Sequence, residues 1–357
     1  MNTKFCTVDF KNEQDMTEHD KEVIMEAGSI LKNGGLVAFP TETVYGLGGD
    51  GLDKKASEKI YAAKGRPSDN PLIVHIADIQ AMEVLAGDIP KTAWQLAGKF
   101  WPGPMTMILN KKDIVPYETT GGLDTVAIRF PSHPVACALI KASGTYIAAP
   151  SANTSGRPSP TLASHVREDM DGKIDMIVDG GRVGIGIEST IVDVTGEVPM
   201  ILRPGYITKE MLEAVVGHVE IDPAIIDDHL LKGVRPKAPG MKYKHYAPKG
   251  DLTIVEGDSE SVIDTINRMV DIAKAEGKKT AVIAVDETKK AYRGDIVESI
   301  GTRSREETIA ANLYDILRRM DTLGVDVIYS ESFEDGGLGQ AVMNRLLKAA
   351  GHQVMKV

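Results

Sequence analysis

Apolar positions along this chain recur at two periods, and the switching between them sets the architecture. Helical spacing over Asp20–Leu31 stops at Asn33-Gly34-Gly35, where glycine can take the left-handed conformation that closes a helix. The run Leu36-Val37-Ala38-Phe39 then predicts a buried strand, halted by Pro40. A helix over Lys54–Ala63, a strand at Leu72–Ile76, helices near Ile79–Ala86 and Lys91–Phe100, and strands at Thr106–Leu109 and Thr125–Arg129 continue the alternation. Next come a helix Pro134–Ser143 and strands at Tyr146–Ala149, Met176–Val178, Thr190–Val194 and Met200–Leu202. Strands alternating with helices predict a layered α/β fold.

From Asp222 to Gly250 the period is lost, through Lys232–Pro239 and Pro239-Gly240-Met241-Lys242-Tyr243-Lys244-His245-Tyr246-Ala247-Pro248. Such a stretch reads as a linker between a domain of residues 1–221 and a second of residues 251–357. The second carries strands Leu252–Val255, Thr280–Val285, Ile296–Ile300 and Val325–Tyr329, separated by helices near Ser259–Ala275, Arg305–Leu323 and Leu338–Ala350. That order predicts a smaller α/β domain with a parallel sheet. At 357 residues the chain exceeds what one core usually supports, so two domains fit its length.

Charge narrows the function. Lys and Arg number 41 against 51 Asp and Glu, a net charge of −10, which argues against a protein whose main task is to coat nucleic acid. Two cysteines, Cys6 and Cys137, are too few and too far apart for a disulfide framework or a thiolate metal site. Met1–Asp20 lacks the apolar core of a signal peptide, and no apolar run is long enough to span a bilayer. The expectation is a soluble, cytoplasmic protein with no membrane partner.

Polar residues cluster where predicted elements break into loops. Lys64-Gly65-Arg66 with Asn70-Pro71 offers two cations for charge-assisted bonds to phosphate or carboxylate, and Ser151-Ala152-Asn153 offers neutral partners. Each has a plainer reading: cations just past a helix favour its negative end, and a Ser-Asn pair can be a simple turn. Thr41, Glu42, Thr43 and Tyr45 crowd a loop after a buried strand, which can equally be a local hydroxyl turn. His75 in an apolar strand reads as a core histidine, without the neighbours a zinc site requires. Gly180-Gly181-Arg182-Val183-Gly184-Ile185-Gly186 before Glu188-Ser189-Thr190 can present amides to an anion or form a bulged turn, and Arg203 can be a surface ion pair. Gly46-Leu47-Gly48-Gly49-Asp50-Gly51 has dinucleotide-fingerprint spacing, but its helix starts only after the glycines have passed, so nicotinamide binding is not expected. No Gly-Lys pair is followed by Ser or Thr, so a Walker A loop is absent.

Taken together, Phe39-Pro40-Thr41-Glu42-Thr43-Val44-Tyr45-Gly46-Leu47-Gly48, Lys64-Gly65-Arg66-Pro67, Asn70-Pro71-Leu72, Trp101-Pro102-Gly103-Pro104, Arg129-Phe130-Pro131, Ala149-Pro150-Ser151-Ala152-Asn153 and Ser155-Gly156 closely resemble the YrdC-like threonylcarbamoyl-AMP synthases, in the long form with an added C-terminal domain. The resemblance implies a twisted α/β sheet enclosing a positively lined cavity, plus a smaller Rossmann-like parallel-sheet domain without the glycine fingerprint. It implies a nucleotidyltransferase that joins L-threonine, bicarbonate and ATP into threonylcarbamoyl adenylate, releasing pyrophosphate and water. Separate transferase proteins would then use the product to form threonylcarbamoyladenosine in tRNA.

Carried over residue by residue, the resemblance places Thr43, His75, Arg129, Ala149 and Ser189 around threonine. It places Arg66, Asn70, Thr125, Ser151, Ser159 and Arg203 around ATP, with Tyr243 of the linker closing over the nucleotide and Tyr246 as its alternative. Lys64 and Arg66 would be the catalytic cations, acting by positioning and charge neutralisation with Mg2+ carried in on the phosphates and no protein-held metal. Replacing either cation is expected to depress turnover far more than stability. Two other readings compete: a YrdC-like RNA-binding module that contacts tRNA directly, and carbamoyl transfer in hydrogenase maturation, for which the chain lacks zinc-finger cysteines.

Overall fold

The computed structural model describes residues 2–225, 238–239, 246–333 and 336–357. Tyr243 and most of the predicted linker lie outside them. The described residues fall into two compact units, the first drawn from Met1–Ser155, Ser159–Gly184 and Glu188–Tyr243, the second from Gly156–Pro158, Ile185–Ile187 and Lys244–Val357.

The first unit runs β1 (Lys4–Thr7), α1 (Glu18–Lys32), β2 (Val37–Phe39), β3 (Gly46–Asp50), α2 (Lys54–Lys64), β4 (Ile73–His75), α3 (Ala81–Leu85), α4 (Lys91–Phe100), β5 (Met105–Asn110), β6 (Thr125–Arg129), α5 (Pro134–Ser143), β7 (Ile147–Ala148), α6 (Ala163–Met170), β8 (Met176–Asp179), β9 (Thr190–Asp193), β10 (Met200–Arg203), α7 (Lys209–Val216) and β11 (Glu220–Ile221). Its eleven strands hydrogen-bond in the order β1-β8-β2-β3-β7-β4-β6-β5-β9-β10-β11, with parallel and antiparallel neighbours mixed.

Local chemistry sets the element ends. Helix α1 opens with a capping box, in which the Asp20 amide donates to the Thr17 hydroxyl at 3.1 Å and the Thr17 amide donates to the Asp20 carboxylate at 2.9 Å. Asp20 is therefore in the first turn, and the helix begins before it. Helix α2 is capped by Asp53 and closed by Gly65 at φ 60°, a conformation that costs glycine little.

The glycine run with fingerprint spacing, to which the sequence assigns no element, forms β3, paired antiparallel with β2 and β7. A Cβ on Gly48 would lie 2.7 Å from Ile147 Cγ2 and 2.8 Å from Phe39 Cε1, so the absent side chain lets neighbouring residues press against the strand.

Alternation in the central strands separates core from site. In β6, Val126 and Ile128 join the core beneath α4 with Met105, Met107 and Val74, whereas Ala127 packs on the opposite face with Ile73, Ile108, Ile191 and Leu202. By strand parity Thr125 and Arg129 share the Ala127 face. The same face receives His75, paired with Arg129 in the β4–β6 register, and Thr106, paired with Arg129 across β5–β6.

The second unit runs β12 (Asp251–Glu256), α8 (Ser259–Ala275), β13 (Thr280–Ala284), β14 (Ile296–Ser299), α9 (Glu306–Thr322), β15 (Val327–Glu331), α10 (Gly337–Ala349) and β16 (Val354–Lys356). Its sheet, ordered β14-β13-β15-β12-β16, is parallel throughout. All residues of β13 and β15 are buried, as expected for a parallel sheet covered on both faces.

Candidate active site

His75, Thr106, Thr125 and Arg129 lie by strand parity on the Ala127 face, which also carries the apolar cluster of Ile73, Ile108, Ala127, Ile191 and Leu202.

At one end sits Arg129, only 4% exposed, with its Nη2 atom 2.8 Å from a carboxylate oxygen of Glu42. The contact is an ion pair whose angles do not make a hydrogen bond. Nε and Nη2 of Arg129 and both carboxylate oxygens of Glu42 are buried without a hydrogen-bond partner. Beside them His75 donates Nδ1–H to the Ile73 carbonyl at 3.0 Å. Burial first, and then the Arg129 charge, lower the His75 pKa to about 3, so its imidazole is neutral near pH 7. Thr43 is fully buried, its hydroxyl 2.8 Å from that of Thr41. Ala149 donates its amide to the Ile73 carbonyl at 2.8 Å.

Ser189 joins this end through Thr106, hydroxyl to hydroxyl at 2.8 Å. Arg203 follows a register shift in β10 that pairs it with Ile191 rather than continuing the regular ladder. Such bulges re-aim side chains, and the guanidinium here donates to the Ser189 carbonyl at 3.0 and 2.9 Å and to the Ser189 hydroxyl at 3.1 Å. At 6% exposure Arg203 is thus not the surface ion pair that its position alone allowed. Ser159 donates to the buried Glu188 at 2.6 Å.

At the other end Lys64 is 2% exposed and donates to the carbonyls of Ser151, at 2.5 Å, and of Asn153. Its ammonium thereby clamps the Ser151-Ala152-Asn153 loop, which also bridges Gly46 of β3 and donates the Ala152 amide to Tyr45 at 2.8 Å. The plain reading of Lys64 as a complement to its helix end gives way to this clamp. Arg66 folds over the next loop, donating to the carbonyls of Asn70 at 3.3 Å and Pro71 at 3.1 Å. Asn70 is 1% exposed and its Oδ1 has no hydrogen-bond partner. Thr125 begins β6, half-buried, four residues before Arg129, a span of about 13 Å.

The structure therefore brings Thr43, His75, Arg129, Ala149, Ser189 and Arg203 into one contact network, and joins Lys64 to Ser151 in another that meets it through β3. Tyr243 lies outside the described residues, and its alternative Tyr246 is buried against Tyr314, ring centroids 5.1 Å apart, in the second unit. Gly180 and Gly181 serve as an anchor: Tyr45 donates its hydroxyl to the Gly181 carbonyl at 2.6 Å and accepts from the Gly180 amide at 3.3 Å. Thr106 has no place among the candidates the sequence offers, and Glu42 stands there only as one of the polar residues of the loop after β2, without a partner or role. The signal for Thr106 is a polar residue amid the apolar run Met105–Leu109; Glu42 stands out by its polar loop, but its partner Arg129 is too far away in sequence to be read.

The family model described as telomere recombination, for the Sua5, YciO and YrdC proteins, matches residues 29–205, and that of the threonylcarbamoyl-AMP synthase C-terminal domain matches residues 207–351. A threonylcarbamoyl-AMP synthase of Bacillus subtilis is 49% identical over 357 residues, covering 100% of both chains. That of Pyrococcus abyssi is 50% identical over 334 residues, covering 93% of this chain and 95% of its own. A crystal structure of Pyrococcus abyssi Sua5 complexed with L-threonine superposes with a TM-score of 0.92 at 48% identity, covering 99% of this chain and 100% of the other.

Proposed function

The chain belongs to the threonylcarbamoyl-AMP synthase family and makes threonylcarbamoyl adenylate for tRNA modification, and from that premise we propose how its residues divide the work. Threonine takes the Arg129 end and ATP the Lys64–Asn70 end, with L-threonine, ATP and bicarbonate as substrates. The observation that carries this division is the pair of orphaned donors on buried Arg129, which match the two oxygens of an amino-acid carboxylate.

Thr43, neutral His75, Ala149 and Ser189 line the space for the threonine side chain and amine. A charged imidazole there would repel both Arg129 and an incoming ammonium, so the low His75 pKa keeps the end of the site with one cation. At the other end the free Oδ1 of Asn70 suits a donor on the adenine base, and Thr125, Ser151, Ser159 and Arg203 bind the rest of the nucleotide. Tyr243 closing over it belongs to the same proposal.

The neutral amine attacks bicarbonate with loss of water, or its CO2 equivalent with loss of a proton, and an oxygen of the resulting carbamate then attacks the α-phosphorus as pyrophosphate leaves. No nucleophile of the protein is needed. Lys64 stabilises charge on the phosphates while holding the Ser151 loop, and Arg66 neutralises the departing pyrophosphate. Mg2+ arriving on the triphosphate would add charge neutralisation there. Among the described residues no group of three His, Cys, Asp or Glu gathers as a metal site. The product passes to separate threonylcarbamoyl transferase proteins.

No helix among the described residues is long and apolar enough to cross a membrane, and a cytoplasmic location is part of this proposal. Incubation with ATP, threonine and bicarbonate, followed by mass detection, should yield the threonine-derived adenylate and pyrophosphate. ATP cleavage that ignored omission of threonine or bicarbonate would overturn the mechanism. A steep salt dependence of tRNA affinity without adenylate formation would instead favour the RNA-binding module.

A further inference from the structure

We propose that Glu42 seats the α-ammonium of the substrate, so that Glu42 and Arg129 together read the amino acid as a zwitterion. The inference rests on the assignment of threonine to the Arg129 end of the site.

Glu42 is not a loose surface carboxylate. Its loop is pinned by Thr41, whose hydroxyl accepts from the amides of Thr43 and Val44 at 3.2 and 3.3 Å and donates to the Val44 carbonyl at 2.7 Å. The Glu42 side chain is 14% exposed, and neither of its oxygens, both buried, has a hydrogen bond. An ion pair with Arg129 offsets part of the desolvation cost of such a group, but a carboxylate withdrawn from water normally also gains N–H or O–H donors. Neither His133 nor Cys137, which lie close enough to feel its charge, donates to it.

Arg129 presents the mirror image, a buried guanidinium with two donors unused. Two acceptors and two donors of opposite charge thus stand side by side, 2.8 Å apart at their nearest. A free α-amino acid carries the complement, with carboxylate oxygens that accept and ammonium protons that donate. Being neutral overall, it adds no net charge to the site, whereas a carboxylic acid without the amine would leave its anion facing Glu42. Neutral His75 offers no competing charge for that carboxylate. After carbamoylation the nitrogen retains a single N–H and no positive charge, so Glu42 favours the substrate over the carbamate.

The test is calorimetric titration of the full chain with L-threonine and with its hydroxy-acid analogue, in which an uncharged hydroxyl replaces the ammonium. The wild type should prefer threonine by about tenfold or more, a charged hydrogen bond's worth. Glu42→Gln should erase that preference by weakening threonine while sparing or improving the analogue. Unchanged threonine affinity in Glu42→Gln, or equal losses for both ligands, overturns the assignment. Should Gln disturb the fold by near-ultraviolet circular dichroism, Glu42→Asp, which withdraws the charge by one methylene, must weaken threonine several-fold and leave the analogue unaffected; equal effects again overturn it. Failure of the underlying site reading looks different, since then Arg129→Lys would leave both ligands bound as in the wild type.

Discussion

Two glutamates, Glu42 in the first unit and Glu331 in the second, are both withdrawn from solvent and both paired with an arginine, yet their surroundings are opposite. Glu331 ends β15 at 2% exposure and accepts from the Tyr292 hydroxyl at 2.8 Å, from the Thr288 hydroxyl and from Arg303. Burial and then the Glu331 charge push the Tyr292 phenol well above its usual range, fixing it as a donor. Glu42 meets Arg129 and gains no hydrogen bond. A buried carboxylate whose acceptors are filled organises a fold; one left unfilled beside unfilled donors keeps hydrogen-bonding capacity that a ligand can use.

The difference breaks most visibly at Arg129. Arg129→Lys keeps the charge but loses the planar fork, and kcat/KM for threonine in adenylate formation should fall by roughly a hundredfold or more. A variant within twofold of wild type would erase the distinction between the two glutamates. Lys64→Met comes next, because the loss leaves the carbonyls of Ser151 and Asn153 without their buried donor. Chemical denaturation should show a loss of about 2–3 kcal/mol along with lost turnover. The resemblance alone implies a loss of turnover far larger than any loss of stability at this position, whereas the burial of Lys64 predicts a fall in both.

His75 sharpens the picture through pH. The folded chain holds it at about 3, against 6.5 for an exposed histidine. Between those values the unfolded chain binds more protons, so stability drops as pH falls through the window. Its share from pH 6.5 to 5 is about 2 kcal/mol, seen as a shift in urea midpoint that His75→Gln should remove. The smallest effect is expected at Glu331→Gln, about 1 kcal/mol of stability, given that Arg303 is 41% exposed, with threonine affinity unchanged by titration. Weakened threonine binding there would show that the two carboxylates are not separable in role.

Much of the fold was legible because punctuation and period agreed. Lys91–Phe100, Pro134–Ser143 and Ser259–Ala275 begin and end where the apolar spacing places them. β3 was missed because glycines carry no pattern, although close packing is what requires them there. β1, with three of its four residues exposed, lacks an apolar signature, and β11 and β16 are two- and three-residue edge strands. α6 and α7, of eight residues each, were left unassigned between clearer elements. At the site, motif spacing indicated which loops matter. It could not reveal that Glu42, in the loop after β2, meets Arg129 at the end of β6, or that the β5–β9 pairing brings Thr106 to Ser189, since both meetings join residues far apart in the chain.

Odd-numbered positions of β6 carry Thr125, Ala127 and Arg129, and even-numbered ones the core residues Val126 and Ile128. Inserting or deleting a single residue there would turn the strand inside out, sending the guanidinium into hydrocarbon and an isoleucine toward the substrate. Length variation in this strand is therefore tolerable only in steps of two, a constraint that any graft, loop transplant or natural insertion near the β6 hairpin has to respect.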